Sequence, residues 1–311
     1  MTWAKIGFFP VPQGVGPWSA SHCQLPTALP LGGDRVRVFY ATRDTSQRSH
    51  VGYADLRVEG HGFAVEDVAR EPVLAPGPMG HFDEHGVFPS CVIRRDGRHL
   101  MYFIGWNRGV EAPLFYAAIG LAVSEDGKVF KRVSPAPILA RSEFDPCLVT
   151  SPHVYLDDGR WFMSYVSGTA WTRNADGRLQ SHYHIKLAES ADGIAWERQG
   201  KVAIDFKPGE TNIARSAVQK LRVGGYRMWF SFVDRSVGRY RMGYAESTDG
   251  RAWKRRDELA GIGLDDSHAR KMICYPSVFE LSSGTYMAYN GDNYGQAGFG
   301  LARLDVPREE R

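Results

Sequence analysis

Carboxylates and arginines fall at matching places along this chain. Asp44 ends VFYATRD, Asp83 and Glu84 precede the strand-like GVFPS in HFDEHGVFPS, Glu143 and Asp145 precede LVTSP in SEFDPCLVTSP, and Glu210 stands in KPGETNIARS. Two carboxylates on opposite sides of a glycosidic bond can cleave it, one kept protonated as general acid and the other ionised as base or nucleophile. Arg43, Arg108, Arg215 and Arg235, with Lys271, add cations suited to a phosphate or carboxylate group. Trp106 and Tyr275 offer aromatic faces to the apolar side of a sugar ring. His22, Gln24, Asn107, Ser151, Asp234, Asn290 and Asp292 offer hydrogen bonds to hydroxyls. Taken singly, each of these groups is an ordinary polar loop residue or a partner in a surface ion pair. Chemistry requires that the fold bring them to one place.

The elements that would do so are repeated. LAESADGIAWERQG at 187–200 and YAESTDGRAWKRRD at 244–257 are near copies, and LAVSEDGKVFKRV at 121–133 is a weaker one. Upstream of each turn lies a short strand-like run, and aligning these runs on Pro26, Pro89, Pro152, Ser216 and Pro276 gives steps of 60 to 64 residues. A glycine-containing turn follows each run (LGGDR, RDGRH, DDGRW, VGGYR, SSGTY), then a second strand rich in aromatics, then a third. Where the SxDG turn follows, it leads into a fourth strand near Phe130, Trp196 or Trp253. Five such units with almost no helix signal predict an all-β chain, a five-bladed β-propeller of four-stranded antiparallel blades forming one domain over 1–311. The last unit lacks a fourth strand, and the run Trp3 to Phe9 is expected to supply it and close the ring. In that geometry Asp126, Asp192 and Asp249 are turn residues rather than calcium or sugar ligands. The starts of first strands and the ends of second strands meet at one mouth, which gathers the candidates named above.

Composition narrows the partners. A net charge of +3 without a run of like charges argues against nucleic acid. No stretch approaches 18 apolar residues, which predicts no membrane span. The start MTWAKIGFFPVPQG lacks a signal-peptide core, so a cytoplasmic location is expected. Cys23, Cys91, Cys147 and Cys274 lack paired spacing and are expected to be reduced thiols. The histidines lack metal-ligand spacing, so no catalytic metal is expected.

The five-unit layout, the SxDGxxW turns and the carboxylates of FDEHGVFPS and SEFDPCLVTSPHV resemble the five-bladed propeller glycosidases of glycoside hydrolase families 43, 32 and 130. YMAYNGDNYGQAGFG and YFIGWNRG resemble predicted glycosidases associated with bacterial polysaccharide genes. The resemblance implies Glu143 or Asp145 as general acid, Asp145 preferred, and Asp83 as the carboxylate tuning it, with Glu84, Asp44 and Glu210 in reserve. Families 43 and 32 also carry an aspartate at the start of the first blade, where this chain has SASHCQLPT with His22 and no carboxylate. Family 130 phosphorylases use inorganic phosphate, held by basic side chains, as nucleophile and need no such base. The expected function is cleavage or transfer of a glycosidic linkage, the substrate carrying an anionic group. Hydrolysis, phosphorolysis or glycosyl transfer, and non-catalytic glycan binding all remain open. The implied ligands are a small carbohydrate, sugar phosphate or activated sugar, with no cofactor beyond phosphate as a co-substrate.

Overall fold

A computed structural model describes residues 1–305. The remainder of the expected 1–311 domain, residues 306–311, lies outside the described residues. In chain order the strands are β1 (Thr2–Pro10), β2 (Ser21–Gly32), β3 (Arg35–Arg43), β4 (Ser49–Glu59), β5 (Gly62–Val68), β6 (Gly86–Arg95), β7 (Arg98–Arg108), β8 (Phe115–Ser124), β9 (Lys131–Arg132) and β10 (Leu148–Asp157). They continue with β11 (Arg160–Arg173), β12 (Leu179–Ser190), β13 (Glu197–Ile204), β14 (Ile213–Lys220), β15 (Tyr226–Asp234), β16 (Arg239–Ser247), β17 (Lys254–Arg255), β18 (Cys274–Leu281), β19 (Gly284–Asn290) and β20 (Gly298–Asp305).

Pairing divides them into repeated antiparallel meanders: β2 to β5, β6 to β9, β10 to β13, and β14 to β17. The first two are joined through a single parallel bridge between Ser49 and Gly86. The fifth meander is β18, β19 and β20, completed by β1, whose Thr2 to Pro10 pair with Asp305 to Gly298. The spare N-terminal strand therefore fills the place that the sequence left open. The hairpin turns follow local chemistry: Asp96–Gly97 and Asp158–Gly159 both take positive φ at the two central positions, the backbone of a two-residue turn matched to strand twist.

Each unit shares an apolar core with the next. Phe39 of β3 packs edge-on against Phe130 before β9, and Tyr102 of β7 against Trp196 before β13. Val166 and Ile185 of the third unit share a core with Met228 and Phe230 of the fourth, and Trp229 of the fourth with Met287 and Tyr289 of the fifth. Val38 and Tyr40 of the first unit pack with Phe279 and Phe299 of the fifth. Because the middle strands are covered on both faces, β3 and β7 carry consecutive buried residues, such as Met101 to Ile104, instead of a strict alternation. The first strands touch in sequence, β2 with β6, β6 with β10, β10 with β14, β14 with β18 and β18 with β2. The four cysteines are free thiols.

The repeated turn is a hydrogen-bonded cap. Ser124, Asp126 and Gly127, and their counterparts at 190–193 and 247–250, make the same set of bonds. The aspartate Oδ1 accepts from the serine hydroxyl and two following backbone N–H groups, while the serine Oγ accepts from the glycine N–H. Only the glycine of each pair takes positive φ.

Candidate functional site

The first strand of every unit carries a bulge near its aligned proline or serine. In four units the residue just before that position, Leu25, Ser151, Arg215 and Tyr275, lies in the left-handed region with φ between 29 and 59°. Such backbone is uncommon for these residue types and is found where a side chain must be re-aimed. Leu25, Ser151 and Tyr275, with Phe88 at the same position of the second unit and Ala214 of the fourth, line a cavity of about 660 Å³. Its polar wall is built by Gln24, Arg43, Trp106, Arg108 and Thr150, and by the phenols Tyr183, Tyr240, Tyr275 and Tyr294. Its remaining wall is Ile104, Val166 and the segment from Gly109 and Ala112 to Phe115. All five units contribute.

Arg43 donates from Nε to Gln24 Oε1 (3.0 Å), and its guanidinium lies over the Trp106 ring at 6.0 Å. Arg108 donates to the Ser46 carbonyl and Trp106 to Ser49 Oγ. The Tyr183 and Tyr240 hydroxyls bond each other, and burial pushes the Tyr183 phenol up to about 12. Tyr275 and Tyr294 stack at 6.3 Å. His22 lies beside Arg43, bonded to Ser21 Oγ; burial and then the Arg43 charge push it down to about 4, so it is neutral at physiological pH.

No Asp or Glu is among the described residues lining the cavity. Asp83 and Asp145 are fully buried elsewhere. Asp83 pairs with Arg132 at 2.6 Å. Asp145 pairs with Arg198 (2.9 Å) and Lys186 (3.6 Å), and accepts from Tyr165 and Ser142. Glu210 is held by both terminal nitrogens of Arg255 at 2.6 and 2.7 Å. The three arginines are equivalent: each stands two residues after the aromatic of an SxDG turn, on the outer strand of its own unit, and holds a carboxylate from the segment leading into that unit's first strand. The fifth unit repeats the clasp with Lys5 of β1 and Asp265 at 2.5 Å. The first unit substitutes Trp18, whose indole donates to the Arg70 carbonyl. A clasp of this kind thus recurs in four units.

The other candidates separate in the same way. Gln24, Arg43, Trp106, Arg108, Ser151 and Tyr275 line the cavity. Asp44 caps a turn: burial would raise its carboxyl, but hydrogen bonds from the Arg48 backbone, His50 and Arg48 hold it below the usual range. Glu84 accepts from the Gly80 N–H, Asn107 bonds His85 and the His81 carbonyl, and Asp234 bonds Ser236. Asn290 ties Leu25 and Cys23 to Gly298, and Asp292 accepts from the Lys271 and Met272 N–H groups. Lys271 and Arg235 are exposed. Arg215 is buried near the axis and donates to the Pro26 and Ser90 carbonyls and the Thr27 hydroxyl; burial pushes it down to about 10. Phe88, Ile104, the 109–115 segment, Val166, Tyr183, Ala214, Tyr240 and Tyr294 were not among the candidates read from sequence. The position before each aligned proline was the available signal for Phe88. Among the described residues, no group of three His, Cys, Asp or Glu side chains could hold a metal.

The fold and the cavity define a glycosidase-like propeller protein. A solved glycoside hydrolase superposes with a TM-score of 0.72 at 18% identity, over 98% of this chain and 94% of that one. A solved structure of the GH130 family of mannoside phosphorylases, which contains glycoside hydrolases that target β-1,2 mannosidic linkages in Candida mannan, superposes with a TM-score of 0.68 at 17% identity, over 97% of this chain and 95% of that one. The chain is 37% identical over 308 residues to uncharacterized protein Rv1502 of Mycobacterium tuberculosis H37Rv, covering 98% of this chain and all of that protein, and it belongs to that family. It is also 28% identical to a 1,2-beta-oligomannan phosphorylase of Thermoanaerobacter sp. over 134 residues, 42% of this chain and 43% of that enzyme. No family model matches the chain.

Proposed function

We propose that this protein is a single-domain, closed five-bladed propeller that cleaves or transfers a glycosidic linkage of a small carbohydrate, sugar phosphate or activated sugar in its central funnel. The nucleophile comes from a co-substrate, and phosphate is the one that fits. A single observation carries this reading: among the described residues the cavity presents two arginines and four phenols and no carboxylate, which suits an incoming anion, while the carboxylates that could have formed an acid–base pair are bound to arginines outside it. Similarity to the oligomannan phosphorylase supports it.

The step balances without a protein acid. An oxygen of hydrogen phosphate, lying on the same face as the leaving group, bonds to the anomeric carbon as the bond to the leaving oxygen breaks, and the phosphate's proton passes to that oxygen. The products are a sugar 1-phosphate and an alcohol. Arg43 and Arg108 favour the dianion, and the aromatic walls orient the ring. Taken without the arginine pair, the lack of a lining carboxylate among the described residues supports a second reading, a glycan-binding propeller without turnover. No helix among the described residues is long and apolar enough to cross a membrane; we place the protein in the cytoplasm.

Aryl glycosides incubated with and without phosphate test the first reading. Product release that rises with phosphate, with sugar 1-phosphate recovered, is expected. Equal release in its absence overturns the phosphate role, and saturable binding with no product under any condition establishes the binder.

A further inference from the structure

The cavity joins two kinds of lining. Polar side chains come from all five units: Gln24, Arg43, Trp106, Arg108, Thr150, Ser151, Tyr183, Tyr240, Tyr275 and Tyr294. The second and third units also supply an apolar wall of Phe88, Ile104, Pro113, Leu114, Phe115 and Val166, none with a polar side-chain atom, in which Phe88, Ile104 and Phe115 pack in one cluster. Its main chain is also occupied. The segment after β7 closes on itself, Gly109 N–H donating to the Leu114 carbonyl and Leu114 N–H to the Glu111 carbonyl, and Ile104 and Val166 lie in paired strands. Hydroxyls placed against this side find few partners and are desolvated at a cost.

The apolar wall is braced from behind. Phe115 packs edge-on against Trp171 of the long strand β11, at 5.9 Å, and Glu111 pairs with Arg173 two residues further along that strand. The wall is thus held open by the neighbouring unit, and the cavity of about 660 Å³ has the size of a site for a drug-sized ligand. Beside its mouth Val110 is 93% exposed, which continues the apolar character outward.

We infer that the ligand is an amphipathic glycoside: a polar sugar lying against the arginine and phenol side, joined to an apolar aglycone, an alkyl, acyl or aryl group, that fills the wall of Phe88, Leu114 and Phe115. This rests on the carbohydrate reading above and names the substrate class for the same cavity. A free oligosaccharide would leave the wall of Phe88, Leu114 and Phe115 unmatched. An apolar molecule alone would offer nothing to the Arg43 and Arg108 charges.

The test is a ladder of methyl, butyl, hexyl and octyl glycosides of several hexoses, held below their micelle concentrations and followed by calorimetry against the wild-type chain. Affinity is expected to rise on the order of fourfold per methylene, the weight of burying one such group, until the wall is filled. In Leu114→Asn the slope of the ladder falls, with the fold monitored by thermal melting. Pro113→Asp, at an exposed position of the same wall, gives the same loss if Leu114→Asn melts early. Affinity independent of chain length, absence of binding by every member, or octanol binding as tightly as octyl glycoside overturns the inference. A normal ladder without turnover in the phosphate assay leaves it standing while removing the catalytic reading, and phosphate-dependent turnover with a flat ladder does the reverse.

Discussion

Asp145 illustrates how a carboxylate can hold a conspicuous place and act on the fold. It is buried among Arg198, Lys186, Tyr165 and Ser142. A general acid must reach the leaving oxygen, and Asp145 does not line the cavity. We expect Asp145→Asn to destabilise the protein by about 3–5 kcal/mol, because Arg198 and Lys186 keep only backbone carbonyl partners and lose their countercharge. Urea denaturation measures this, and calorimetry of a sugar ligand with the folded variant is expected to give near wild-type affinity. Loss of binding or turnover in a variant of unchanged stability would restore the acid role expected from sequence. The clasp arginines Arg132, Arg198 and Arg255 were visible as the repeated aromatic-x-Arg of the SxDG turns. Their pairing with Asp83, Asp145 and Glu210 was not, since it crosses 45 to 53 residues of chain.

Between neighbouring units, strands are joined by single polar contacts as well as by apolar cores. His153 of β10 donates from Nε2 to the Val218 carbonyl of β14 at 3.1 Å, and burial, followed by the Arg215 charge, pushes its pKa down to about 4. In the unfolded chain it titrates at its ordinary 6.5. Above that value both states are neutral and the contact is at full strength. Between about 6.5 and 4 the unfolded state binds the extra proton, so stability falls as pH falls through that window. His22, lowered in the same way, adds to the slope. Urea midpoints measured from pH 7.5 to 4.5 should decline, and His153→Gln should decline less steeply; parallel curves would sink the assignment. At the same scale, the bulge that turns Leu25, Ser151 and Tyr275 inward coincides with the aligned proline of each first strand. That made the inner strands legible in the sequence, whereas the direction of the re-aimed side chains depends on the bulge itself.

Strands β1 and β20, distant along the chain, pair in one sheet, so that sheet depends on a strand from residues 2–10. Trp3, Ile6 and Phe9 of β1 are buried, and β1 covers the edge of β20. Removing residues 1–10 is expected to cost about 1.5–3 kcal/mol for each buried side chain and to expose a sheet edge. A lower melting temperature with association in sedimentation is the predicted outcome; an unchanged monomer would overturn it. The 60 to 64 residue repeat, the hairpin glycines and the SxDG caps are local, determined by backbone sterics and hydrogen bonds within a few residues, and they prescribed the sheets and the use of β1 from sequence alone. Which polar groups would face the cavity and which would pair within a unit was decided only in three dimensions. Charges distant along the chain choose partners by proximity, so Arg43 and Arg108 reached the cavity while Asp83, Asp145 and Glu210 were drawn into the clasps, and the apolar wall came from a segment without periodic signal.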